Sequence, residues 1–289
     1  MNNPNMKYEM KRMIFLLMMA GWLGAAAQEP IEVKVEQRPS SQGVVSAFEV
    51  VVPQATPKEA IELWKKTILP GGLFKKTPKM EKVKDEWIVR DIVVRDITHL
   101  PLNAYTQVST FPGNIYVRIF LQSEGGFLGS PGSAEATTEA ATRYIREYAV
   151  ALYKQAVEKE LKTEEARLRK LENELNAMHR KNKSYNRKAT EAQKEQGALK
   201  EEVKLQEQEL ENKEYIYLEN AGDNKTSPQE EMEKQLKETE KDLKKAQKSQ
   251  SKFERKISKN ERSQRNKEDE ISKQKVKVEE VKTKLTNIR

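Results

Sequence analysis

Two histidines, His99 and His179, and a complete lack of cysteine bound the chemistry open to this chain. Without a thiol there is no disulfide, no thiolate nucleophile, no Cys-ligated zinc and no iron–sulfur cluster. His99 precedes Leu100-Pro101 at the end of an apolar run, and His179 follows Met178 in a charged helical stretch. Neither has a second ligand at metal-binding spacing, and no H-E-x-x-H or G-x-S-x-G motif occurs. The Gly-rich stretch Ser123–Ser133 lacks the Gly-Lys-Ser/Thr ending through which a phosphate loop reaches its ligand. Acids are plentiful enough for a carboxylate pair, although the head is small for a saccharide cleft, and His99 as a triad base would need a Ser and an acid that the sequence does not mark out. The expectation is no catalytic residue, no metal and no cofactor.

Two groups of residues remain as binding candidates. Ala141, Tyr144, Ile145, Tyr148, Leu152 and Tyr153 recur at helical spacing and form an aromatic-rich stripe. Such a stripe ordinarily packs a core; a ligand pocket between this helix and a sheet, lined by Tyr144, Tyr148 and Trp87, is the second reading. The other group is Tyr217, Asn220, Asp223 and Asn224, around a predicted turn, as a contact for a partner.

The elements that position these residues fall into a head and two arms. Ile31–Glu36 alternates apolar and polar residues, Pro39–Gly43 is turn chemistry, and Val44–Val52 is β-branched, which predicts two strands. Thr56-Pro57-Lys58-Glu59 is a helix start, with Ala60, Ile61, Leu63, Trp64 and Ile68 as its buried stripe and Pro70-Gly71-Gly72 as its stop. Trp87–Arg95 predicts a strand, and Ala104–Phe111 with Ile115–Gln122 predicts a hairpin about Pro112-Gly113-Asn114. In the second arm of that hairpin Ile115, Val117, Ile119 and Leu121 share one face, and Tyr116, Arg118 and Phe120 the other. Ser123–Ser133 reads as a flexible link whose Phe127 and Leu128 fold back on the head. The fold class is therefore α+β: a small antiparallel-sheet head with packed helices, followed by a long antiparallel α-helical coiled-coil hairpin.

The hairpin rests on periodicity. Leu161, Leu168, Leu175, Asn182, Ala189, Gln196, Val203, Leu210 and Tyr217 recur every seven residues, with Val157, Leu171, Met178, Tyr185, Ala192 and Leu199 in the alternate seam position. Leu236, Leu243, Ile257, Ile271, Val278 and Leu285 continue the pattern after the turn signals Gly222 and Ser227-Pro228. Folding the chain so that Tyr217 meets Met232 pairs Met178 with Ile271, Leu161 with Ile288 and Asn182 with Lys267. The resulting boundaries are a signal peptide over 1–27, the head over 28–133, a head-packing helix over 134–160, arm 1 over 161–218, a tip loop over 219–228 and arm 2 over 229–289. Arms pairing between chains are the alternative, giving a monomer or a coiled-coil oligomer.

Residues 1–27 read as an address. Lys7, Lys11 and Arg12 precede an apolar run from Met13 to Gly24 and the small-residue site Ala25-Ala26-Ala27, the plan of a secretory signal peptide. The run is too short to span a bilayer, so the mature chain is expected not to be membrane-spanning. The formal net charge is +8, and charged residues make up 34% of the chain, with a mean hydropathy of −0.86. That is too polar for one globular core, but fits helices whose faces carry mixed charge. Lys244–Arg265 is the most basic stretch.

A non-lipoprotein signal, Ala47-Phe48-Glu49-Val50 early in the head, the turn Phe111-Pro112-Gly113-Asn114, and a helix from Tyr148 to Leu161 running into Lys/Glu heptads together resemble uncharacterised secreted coiled-coil proteins of Bacteroidota. The resemblance covers nearly the whole mature chain and favours a periplasmic home over the outer surface or the medium, between which the signal alone does not choose; it implies no activity, cofactor or catalytic residue. The function expected is that of an exported, non-enzymatic spacer or interaction module of the cell envelope. It would contact another envelope protein or component, with no nucleic acid expected. A ligand-binding head, anionic-polymer binding by the basic distal arm, and an enzyme follow in that order.

Overall fold

A computed structural model of the chain describes residues 30–69, 78–219 and 227–289. The order of elements is β1 (Val33–Ser40), β2 (Gly43–Pro53), α1 (Pro57–Ile68), β3 (Glu81–Val83), β4 (Glu86–Ile92), β5 (Leu102–Phe111), β6 (Asn114–Ser123), β7 (Gly126–Phe127), α2 (Glu135–Glu219) and α3 (Ser227–Asn287). The seven strands form one antiparallel sheet in the order β1-β2-β6-β5-β4-β3, with β7 paired to β6. The class is α+β with one very long helix, α2. The signal-like residues 1–27 and the stop at Pro70-Gly71-Gly72 lie outside the described residues.

The chain packs as two units, one running up to Thr163 and including Glu279–Arg289, the other Glu164–Val278. In the first, the β-hairpins follow from their turns. Phe111 pairs with Asn114 across Pro112-Gly113, and Gly113 takes φ +77°, where a side chain is disfavoured, as in a type II turn. Helix α1 begins with a reciprocal cap: the Thr56 side chain accepts from the Glu59 backbone N–H, and the Glu59 carboxylate accepts from the Thr56 N–H. Pro57 at its first turn needs no hydrogen-bond acceptor there.

One face of the sheet carries the main core. Phe48, Val50, Val52, Ile115, Val117, Ile119 and Leu121 are buried there with Trp64 and Ile68 of α1, and with Ile145, Tyr148, Leu152 and Val157 of α2. Val281 and Ile288, near and just past the end of α3, join the same cluster. The opposite face is not simply polar. Phe120 is fully buried with Ala47, Ile88 and Tyr105, and Val45 and Phe127 pack against them. These residues form a cross-strand row, Ile88↔Tyr105↔Phe120. The β1–β2 turn bends toward this side of the sheet. There Ser41 N–H donates to the Glu86 carboxylate, and the Gln107 amide donates to the Pro39 carbonyl.

The Gly-rich stretch is ordered rather than a loose link. Phe127 pairs with Gln122, and Leu128 joins the main core. Gly129, at φ +83°, lies where a Cβ would come 2.5 Å from Val35; only glycine permits that approach. The predicted strand Trp87–Arg95 is shorter than expected. Its ladder is interrupted between Val89 and Ile92, where Asp91 takes φ 54° and its N–H donates to the Asn103 side chain.

In the second unit α2 and α3 meet side by side in opposite directions. Tyr185 and Phe253 approach to 6.5 Å between ring centroids. The Asn260 amide donates to the Met178 carbonyl at 3.0 Å, and the Gln274 amide donates to the Glu164 carbonyl at 3.0 Å. Lys267 pairs with Glu174 at 3.0 Å and Lys277 with Glu164 at 2.8 Å. These contacts correct the register expected from the turn. Met178 meets Asn260 instead of Ile271, and Lys267 meets Glu174 instead of Asn182. The shift is close to three helical turns, so the same stripe of α3 faces inward in either register. Periodicity alone cannot separate the two. The ion pairs to Glu164 and Glu174 accompany the register seen.

Candidate functional site

The aromatic stripe of α2 is built into the core. Trp64 of α1 sits edge-on between two tyrosines, with centroids 6.3 Å from Tyr144 and 5.0 Å from Tyr148. Both hydroxyls donate to α1 carbonyls: Tyr144 to Thr67 at 2.7 Å and Tyr148 to Ala60 at 2.9 Å. Burial, with the nearby carboxylates of Asp96 and Glu147, pushes the Tyr144 phenol up to about 12. Burial alone raises that of Tyr148. Two hydroxyls that hold one helix to another are structural groups.

Trp87 lies elsewhere, so the three residues expected to line one pocket are not brought together. β4 begins at Glu86 opposite Gln107, whereas β5 continues to Phe111. Val108 and Ser109 therefore have no β4 neighbour, and a cleft of about 860 Å³ opens beside them. Its walls are Pro57, Lys58 and Ile61 from the first turns of α1, Lys82, Asp85 and Trp87 from the β3–β4 hairpin, and Pro39 and Ser40 from the end of β1. The Lys82 ammonium stands 5.7 Å from the Trp87 ring centroid. Such a lining offers an aromatic surface, an apolar wall and charges of both signs, a set suited to recognition by stacking and hydrogen bonding.

Two carboxylates behind the cleft are held by the sheet. Glu86 is 4% exposed. One of its oxygens accepts from Ser41 N–H and from the Gln107 amide, each at 2.9 Å, and the other has no protein partner. Glu49 accepts from both Arg38 and Arg118, and Arg118 reaches the cleft wall. Burial would raise the Glu49 carboxyl, but the two guanidiniums outweigh it and hold the group below the usual carboxylate range.

Sequence reading missed this cleft because its residues come from six separate elements and share no local motif. The one signal within reach was register: pairing β4 with β5 from the hydrophobic pattern would have left Val108–Phe111 overhanging. His99 and His179 are both exposed. No group of three or more His, Cys, Asp or Glu residues suited to a metal occurs among the described residues. The side chain of Tyr217, with Asn220, Asp223 and Asn224, lies outside the described residues, so the turn contact has no geometry here.

No family model matches the chain, and none of the curated proteins compared with it matches. No helix among the described residues is long and apolar enough to cross a membrane.

Proposed function

We propose that the protein is an exported, non-enzymatic spacer or interaction module of the cell envelope, whose working part is an antiparallel coiled coil formed by α2 and α3 within one chain. The observation that carries this reading is the single register shared by the contacts Glu164–Gln274, Met178–Asn260 and Tyr185–Phe253. Seven residues beyond the ring contact on each helix stand Ala192 and Ala246, both buried. A seam that recurs every seven residues across two helices is what supercoiling requires. At ~1.5 Å per residue the stretch of α2 from Glu164 to its end is ~80 Å long, enough to hold two bound partners tens of ångströms apart. Export follows from the signal-like plan of residues 1–27, and the resemblance stated above favours the periplasm.

Because the chain has no cysteine, cross-linking tests the pairing cleanly. Ala192→Cys with Ala246→Cys should oxidise or cross-link within one chain, and Met178→Cys with Ile271→Cys should not. A cross-link that forms only between chains would replace the hairpin by an oligomer. N-terminal sequencing of the mature protein from a fractionated envelope should begin at Gln28; an intact Met1 in the cytoplasm would end the export reading.

A second reading is that the head binds a small ligand, and the Trp87–Lys82 pair in the cleft favours it. Quenching of Trp87 fluorescence by a ligand, lost in Lys82→Ala, is its test.

A further inference from the structure

One face of α3 carries cations at spacings of three and four: Lys245, Lys248, Lys252, Arg255, Lys259 and Arg262. All six are exposed, whereas Ala246, Phe253 and Asn260 on the other side turn toward α2 or are buried. Residues 244–265 hold nine cations and two acids, and α2 over 180–194 adds six cations and one acid. Neutralisation is sparse. Lys245 pairs with Asp242 at 2.7 Å, but the other five make no ion pair among the described residues. The ion pairs between the two helices lie outside this row: Lys267 meets Glu174, Lys275 meets Glu172 and Lys277 meets Glu164.

Such a stripe works against its own helix. Like charges three or four apart on a helix repel one another and destabilise it. An uncompensated row also raises the local potential, which draws polyanions. The row from Lys245 to Arg262 is straight and ~26 Å long at ~1.5 Å per residue. An extended chain can lie along all of it. Each phosphate strand of a duplex winds with a pitch of about 34 Å and meets such a row over only part of its length. Single-stranded nucleic acid would need an aromatic platform for its bases. The aromatic residue of this segment, Phe253, is half-buried, with Lys188 and Lys256 at 5.7 and 5.4 Å from its ring.

We infer that this face of α3 binds an extended, negatively charged polysaccharide, its carboxylate or sulfate groups meeting the cations along the row. The site uses the helix pairing proposed above, but the cysteine cross-link reports that pairing separately, so failure of one is distinguishable from failure of the other.

The test uses the full chain with labelled heparin, polygalacturonate and a duplex DNA as probes, read by fluorescence anisotropy across about 50 to 200 mM salt. Both polysaccharides should bind with affinity that falls steeply as salt rises. The variant K248Q/K252Q/R255Q/K259Q/R262Q should lose about tenfold or more in affinity and flatten the salt slope. A control that removes the same charge from exposed positions of the head unit, K65Q/K66Q/K79Q/K154Q/K162Q, should bind within about twofold of the parent. Exchanging Lys and Arg within the stripe should keep binding. Acylation footprinting of the unaltered chain gives a reading independent of folding in the variants: heparin should shield Lys248, Lys252 and Lys259. Equal losses in both glutamine variants would reduce the effect to bulk charge and overturn the site. Unshielded lysines, absent binding, or duplex DNA held more tightly than either polysaccharide would overturn it as well.

Discussion

The head unit and the helical unit bury their residues by different means. In the head, large apolar side chains such as Trp64, Phe48, Phe120 and Leu152 are wholly enclosed, and the sheet lies between two clusters. In the helical unit the buried residues among those described within Glu164–Val278 are Ala192, Ala246, Ile271 and Val278, joined by Gln264 and Gln274. Close packing of volume stabilises the first; repetition of small contacts along a seam stabilises the second. The difference means that a single deletion should be felt far more in the head, and that a polar group in the seam is a local rather than a global weakness.

Trp64→Ala is the sharpest way to break that contrast. The ring is fully buried between Tyr144 and Tyr148, and its loss should destabilise the head by about 3–5 kcal/mol. Denaturant unfolding followed by Trp87 fluorescence should shift strongly, while the helical signal shows a later, little-changed component. Coincident shifts in both signals would mean one cooperative unit and remove the contrast.

Glu49→Gln should come next, costing about 2 kcal/mol at neutral pH because it replaces the carboxylate shared by Arg38 and Arg118 with a neutral amide that has one acceptor oxygen. The sign of the pH effect follows from the direction of the shift. The folded carboxyl lies below its ordinary 4.5, so its contribution is present above that value and is lost as pH falls through the lowered folded value. The gap in melting temperature between parent and variant should therefore close in acid. A gap that widens below pH 4.5 would mean the pairing does not stabilise the head.

In the helical unit the expected effects are smaller and one has the opposite sign. The Asn182 carbonyl oxygen is buried with no partner, and so is that of Gln206. Asn182→Leu should stabilise the unit by about 1 kcal/mol. Hydrogen exchange should show the stretch between Asn182 and Gln206 opening before Glu164–Lys277, with the leucine variant closing the difference. Uniform protection along both helices would contradict a weak midsection.

How far these contrasts were legible beforehand differs between the units. The head's strands, the capping box at Thr56 and the inward set Ile115, Val117, Ile119 and Leu121 follow from period-two alternation and from turn and cap chemistry, all local signals. The burial of Phe120 did not follow, because it depends on Ile88 and Tyr105 from neighbouring strands and on Phe127, which packs against the same cluster, a long-range event. The seam of each long helix was readable from its heptads, but the offset between helices was not, since two registers three turns apart bury the same stripe. For the same reason Trp87 was grouped with Tyr144 and Tyr148: aromatic character is visible in a sequence, while the strand overhang that separates them is set by pairing.

The smallest effect sharpens the comparison further. Arg187 and Glu191 form an exposed pair one helical turn apart at 3.5 Å, with side chains 73% and 65% accessible. Such a pair gains little Coulomb energy in water and restricts two long side chains, so Arg187→Ala should change stability by no more than about 0.5 kcal/mol. Thermal unfolding of the variant should overlay the parent. If it does, exposed charge in the helical unit contributes almost nothing to holding the helices together. The dense cations of Lys244–Arg265 then have no stabilising role to explain them, and their placement has to be understood through what they attract. If Arg187→Ala instead lowers stability by more than about 1 kcal/mol, surface charge is a structural element of the seam. The two units would then differ less than their buried residues suggest.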